Sequence, residues 1–152
     1  HYREAQFYLG VARFRTGEFQ ASAEAFRKLS EEVPLPEVIN NLGAARSRLN
    51  DPAAVDLFRK AIESNPTDPD LHFNAGYALW RQSQYPAAAE EFRVSLQRHP
   101  DDEAATLLLG RCLKEQPYRA GELKTEALER LKTEYNESAW LALKSMLAPK
   151  RQ

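Results

Sequence analysis

Four glycines mark time along most of the chain. Gly10, Gly43, Gly76 and Gly110 stand in "YLGVARF", "NLGAARS", "NAGYALW" and "LLGRCLK", spaced by 33, 33 and 34 residues. A second anchor follows the first three glycines. It is Phe26 in "AEAFRKL", Phe58 in "VDLFRKA" and Phe92 in "AEEFRVS", at 16, 15 and 16 residues beyond the glycine. Pro34, Pro66 and Pro100 then close those copies. A period of this length marks a supersecondary unit that cannot bury its apolar side alone, so copies must stack and share one core.

The residues between the anchors decide what the unit is. Alanine, leucine, glutamate and arginine dominate, all strong helix formers, and β-branched runs are scarce. Nine prolines fall between periodic segments, where they start or stop helices. The pattern predicts helices over 3–16, 19–33, 36–48, 52–64, 69–82, 86–98, 103–115, 122–135 and 137–147. Each mid-helix glycine costs about 1 kcal/mol against alanine. A cost that recurs implies close approach between paired helices.

These motifs resemble the tetratricopeptide repeat family: Leu-Gly, a small residue at the helix crossing, an aromatic, and a closing proline. The small residues are Ser22, Ala54, Ala88 and, in the fourth copy, Ala127. The fourth copy departs, because its inner turn is expanded to "QPYRAGELK" and Leu131 replaces the aromatic. The resemblance implies an all-α, right-handed α-solenoid of about four helix-turn-helix repeats, over 3–35, 36–67, 68–101 and 102–135 of a single domain spanning 1–152. Helix 137–147, "ESAWLALKSML", lacks the pattern and is expected to cap the last repeat through Trp140, Leu143 and Leu147.

In the family the first helices of successive pairs line a concave groove. The core is then expected to take Leu9, Leu42, Ala75, Leu79, Leu109 and Leu113, with Arg13 and Arg46 snorkelling outward. Phe73, Tyr77 and Trp80 share one helical face that looks into the groove, and either the next helix or a ligand must cover it. Phe7 and Phe73 are read as packing between helices, Tyr77 and Trp80 as open to the groove. A hollow floored by Ala44 and Ser47, between Phe14 and Trp80, would suit an apolar side chain or short helix of a partner.

Asn41 and Asn74 occupy the same site in successive copies. A carboxamide donates and accepts, so it can hold a peptide bond without reading a side chain. The resemblance implies that role; the alternative is a solvated or helix-bracing amide. Arg48 and Arg81, with Arg15, recur at 33-residue intervals as a solvated charge row. With Arg111 they could instead favour a segment carrying an acid. One subfamily clamps acidic chaperone C-termini, but only Asn41 fits its residue set here.

The remaining residues narrow the function classes. The net charge of −1 offers no global pull toward nucleic acid or anionic membrane. No run of 18 apolar residues suggests membrane insertion. Cys112 is read as a core thiol; His1, His72 and His99 are read as surface residues without ligand spacing. No phosphate loop, nucleophile set or zinc pattern is present, so neither catalysis nor a cofactor is expected. The first copy starts at once, so the chain reads as a piece of a longer protein, and its compartment is not legible. The expectation is a non-catalytic interaction module that binds a partner's peptide segment, acidic or apolar-anchored, in the groove. The alternative is a structural module packing on its own parent chain or a second copy.

Overall fold

The computed structural model describes residues 2–121 and 128–149. Seven helices follow in sequence: α1 Tyr2–Arg15, α2 Phe19–Glu32, α3 Pro36–Arg48, α4 Ala54–Ser64, α5 Pro69–Arg81, α6 Tyr85–Arg98 and α7 Glu103–Leu113. An eighth, α8, spans Glu137–Leu147, and no strand occurs among the described residues. Local chemistry sets the starts. Asp68, Asp102 and Asn136 are N-caps whose side chains accept from the N–H of Asp70, Ala105 and Ala139. Pro36, Pro69 and Pro86 sit in the first turn, where no N–H is needed.

Each helix from α1 to α7 packs on the next, and α1, α3, α5 and α7 also touch in order. The odd-numbered helices thus form one wall of an α-solenoid. The glycine and aromatic anchors explain the hairpin. Phe26, Phe58 and Phe92 are each fully buried against a glycine of the paired helix. A Cβ on Gly10 would stand 2.6 Å from the Phe26 ring, and one on Gly43 2.8 Å from that of Phe58. Each such ring contributes about 1.5–3 kcal/mol by leaving water. Ser22, Ala54 and Ala88 are buried at the crossings, and Ser22 Oγ donates to the Gly10 carbonyl at 2.8 Å.

Burial of the expected core follows the stacking. Leu42, Ala75 and Leu79, inside the stack, are buried, whereas Leu9 and Leu113, on the outermost pairs, are 44% and 60% exposed. His72 departs from its surface reading. It is buried, with Nδ1 2.8 Å from Glu91 and Nε2 2.8 Å from the Pro66 carbonyl. Both nitrogens face acceptors, a setting that suits the doubly protonated ring.

The fourth copy differs most from expectation. Of the helix expected over 122–135, residues 122–127, with Ala127, lie outside the described residues. Residues 128–136 are not helical. They run back along the concave wall toward α1. There Tyr135 packs on Phe7 at 5.6 Å between ring centroids, and Glu137 accepts from Arg3 Nε at 2.8 Å. So α8 keeps its expected bounds but starts beside the first repeat, not on the fourth. Trp140 is buried, Leu143 half-buried, and Leu147 68% exposed. A Cβ on Gly110 would meet nothing within 4 Å among the described residues.

Gly10→Ala should lower stability by about 1–3 kcal/mol through overpacking against Phe26, as urea unfolding would read. The Glu91 bond raises the His72 pKa, so its stabilisation is full below the unfolded value of about 6.5 and fades as pH rises through the folded value. The melting-temperature advantage of the native chain over His72→Gln should therefore be largest near about pH 6 and shrink toward about pH 9.

Candidate functional site: a groove that holds an extended segment

Three asparagines build the floor. Asn40 and Asn41 lie on α3 and Asn74 on α5, all with no exposed surface. Asn74 Nδ2 donates to the Arg130 carbonyl at 2.8 Å, and its Oδ1 accepts from the Arg130 N–H at 2.7 Å. Asn41 does the same for Lys132, at 2.7 and 2.8 Å. Asn40 braces both: its Nδ2 donates to Asn41 Oδ1 at 3.1 Å and to the Arg130 carbonyl at 2.9 Å, and its Oδ1 accepts from Asn74 at 2.7 Å. Two alternate residues of an extended segment thus have both backbone groups satisfied by side chains, as a buried backbone requires.

The side chains of the segment point alternately to the two rims. Glu129 reaches the C-terminal ends of α3 and α5. Its carboxylate accepts from Ser47 Oγ at 2.8 Å and lies 3.2 Å from Arg81 and 3.6 Å from Arg48. Burial pushes this carboxyl above the usual range, with Arg48, Ser47 and Arg81 opposing. Arg130 and Lys132 reach the N-terminal ends. Arg130 forms a fork on Asp102 at 2.6 and 2.9 Å and stacks over the Phe73 ring at 3.6 Å. Arg130 holds the Asp102 carboxyl below its ordinary range. Lys132 pairs with Asp68 at 2.5 Å and Asp70 at 3.2 Å; burial alone would lower its pKa, and these carboxylates raise it.

The aromatic face of α5 is therefore covered. Arg130 lies on Phe73, Arg81 on Tyr77, and Tyr118 meets Trp80 edge-on at 5.7 Å. Trp80 Nε1 donates to the Gln116 carbonyl at 2.7 Å. Tyr77 and Trp80, expected to be open, are fully buried; Phe7 and Phe73 are buried as expected. Ala44 and Ser47 are buried too, so the expected hollow above them is filled, with the Glu129 carboxylate on Ser47. Phe14 is buried on α1 and, with Arg15, Gly17 and Phe19, lines an open hollow of about 550 Å³ beside Leu131. Arg111 is half-buried on α7. Cys112 is in the core, where burial pushes its thiol up to about 11.

Among the expected residues, Asn41, Asn74, Ser47, Arg48 and Arg81 converge on the segment. The segment itself was missed, as were Asn40 as a brace and the acids Asp68, Asp70 and Asp102. The expanded turn with Pro117 and Gly121 was the available signal that the fourth copy leaves the repeat path. Among the described residues no His, Cys, Asp or Glu group could hold a metal ion, and no helix is long and apolar enough to cross a membrane.

Stacked helical hairpins whose inner wall carries an extended stretch of the same chain have a helical-repeat architecture. The sequence profile of the tetratricopeptide repeat matches residues 1–34, 44–103 and 73–124, and the chain belongs to that family. A curated relative is the anaphase-promoting complex subunit CDC16 of Saccharomyces cerevisiae, 26% identical over 115 residues. That match takes in 70% of this chain but only 14% of the relative's length. The first tetratricopeptide domain of Spaghetti (RPAP3), bound to an HSP90 peptide, superposes with a TM-score of 0.71 at 19% identity, over 74% of this chain and 90% of that one. The Yersinia enterocolitica secretion chaperone SycD, in complex with a YopD peptide, gives 0.63 at 15%, over 74% and 88%.

The amide grip makes a direct prediction. Asn41→Ala with Asn74→Ala removes four backbone bonds worth about 0.5–1.5 kcal/mol each. Hydrogen exchange at the Arg130 and Lys132 amides should then speed up by about tenfold or more, while α6 amides keep their protection.

Proposed function

We propose that this chain is a non-catalytic protein-interaction module whose concave wall receives an extended segment of a partner protein. The two-way amide bonds at residues 130 and 132 carry this reading, because they address backbone that every extended peptide has. Relatives of the same fold held peptides when their structures were determined, an HSP90 peptide in one and a YopD peptide in another. A partner would displace the chain's own segment, whose tether gives it an effective concentration of about millimolar.

A second reading has its own support. Tyr135 on Phe7 and Glu137 on Arg3 extend the hold on the segment beyond the groove floor. This favours a structural module closed on its own chain.

One experiment tests the groove that both readings share. A labelled peptide of residues 128–136 should bind the chain truncated after Gly121 with Kd around micromolar, about −8 kcal/mol. Asn41→Ala with Asn74→Ala in that chain should raise Kd at least tenfold, read by fluorescence anisotropy. A folded truncated chain that ignores the peptide contradicts the groove on which both readings rest.

A further inference from the structure

The groove has two chemically distinct rims, and they follow from helix direction. The ends of α5 and α7 that share Arg130 are N-terminal, and the ends of α3 and α5 that share Glu129 are C-terminal, so the odd helices run parallel. One rim therefore collects helix N-termini and carries Asp68, Asp70 and Asp102. The other collects C-termini and carries Arg48 and Arg81. Each charge complements the helix dipole at its own end. A peptide laid across parallel helices presents alternate side chains to opposite rims.

We propose, resting on the peptide-groove reading above, that the partner segment carries a two-sided code. An acid and then a large apolar residue face the basic rim, at the positions held in this chain by Glu129 and Leu131. Two basic residues face the acidic rim, at the positions of Arg130 and Lys132. An aromatic takes the place of Tyr135. The partner belongs to a different protein, and the reason is competition. A second copy offers an identical segment, which loses to the tethered one through effective concentration alone. A foreign segment wins only by fitting better.

The fit leaves room for that at one position. Leu131 is half-buried, beside the open hollow of about 550 Å³ lined by Phe14, Arg15, Gly17 and Phe19. An indole there would meet the apolar wall that leucine leaves uncovered, with Arg15 positioned along its edge.

The test uses the full chain carrying Arg130→Ala and Lys132→Ala, which weakens its own segment and leaves the wall intact. Three labelled peptides of residues 128–136 are titrated: the native sequence, one with Leu131→Trp, and one with Glu129→Lys, Arg130→Glu and Lys132→Glu. The Leu131→Trp peptide should bind at least tenfold tighter than the native one. The charge-reversed peptide should bind at least tenfold more weakly, with a gap that narrows as salt rises. Equal binding of native and reversed peptides overturns the code and leaves the peptide groove standing. No gain from Leu131→Trp overturns the apolar position. No binding of any peptide to a chain with native circular dichroism overturns both this inference and the groove reading. If that chain unfolds, the native chain titrated with each peptide above the effective concentration of its own segment must give the same ranking, and failure to do so overturns the code. Light scattering should show a monomer at micromolar concentration; a dimer dispersed by the native peptide would make the second copy the partner and overturn the choice of a foreign one.

Discussion

A buried carboxamide is the one neutral side chain that matches a peptide unit group for group, donor to carbonyl and acceptor to N–H. Asn41 and Asn74 use that match on Lys132 and Arg130, and Asn40 locks the pair by bonding both Asn74 and the Arg130 carbonyl. The network sits without exposed surface, where an unmet polar group would cost about 1–3 kcal/mol. An empty wall would have to hydrate these amides, and an occupied one satisfies them with backbone. The rest of the groove arranges itself around this hold: the segment must be extended, its side chains must alternate, and its charges must meet rims of opposite sign.

Those rims are a product of the stacking. Helical hairpins that repeat at a fixed period place every first helix in the same direction, so N-terminal ends gather on one side. Asp68 and Asp102 are there first as N-caps, each accepting from its own helix. They then serve a second purpose, as partners of Lys132 and Arg130. On the opposite rim Arg81 donates to the Ser47 carbonyl at the end of α3 as well as approaching Glu129. Fold and groove thus share their charged residues, so a substitution at either rim acts on both.

Much of this was legible from residue order. The glycine and phenylalanine register placed α1 to α7 to within about two residues, and α8 fell on its expected bounds. The resemblance implied that Asn41 and Asn74 hold a partner's backbone; in the structure both hold backbone of this chain. The failure lies in "LERLKTEYN". Its leucines three apart and its strong helix formers argue locally for a helix. What holds it extended is non-local: Arg130 on Asp102 and Phe73, Lys132 on Asp68, Glu129 between arginines, and Tyr135 on Phe7. Propensity over such a short stretch is a weak preference, and buried, paired contacts override it. The same blindness to what returns from far along the chain left Trp80 as an open residue, when Tyr118 and Gln116 cover it, while Tyr77 lies under Arg81 of its own helix.

The conformation of residues 128–136 in solution decides whether this amide hold exists. Backbone chemical shifts of the isotopically labelled chain measure it directly. Extended-type carbon shifts, with nuclear Overhauser contacts from the Lys132 amide to the Asn41 side chain, are expected of a segment held by Asn41. Helical shifts running through Leu128 to Tyr135, without those contacts, would contradict that hold.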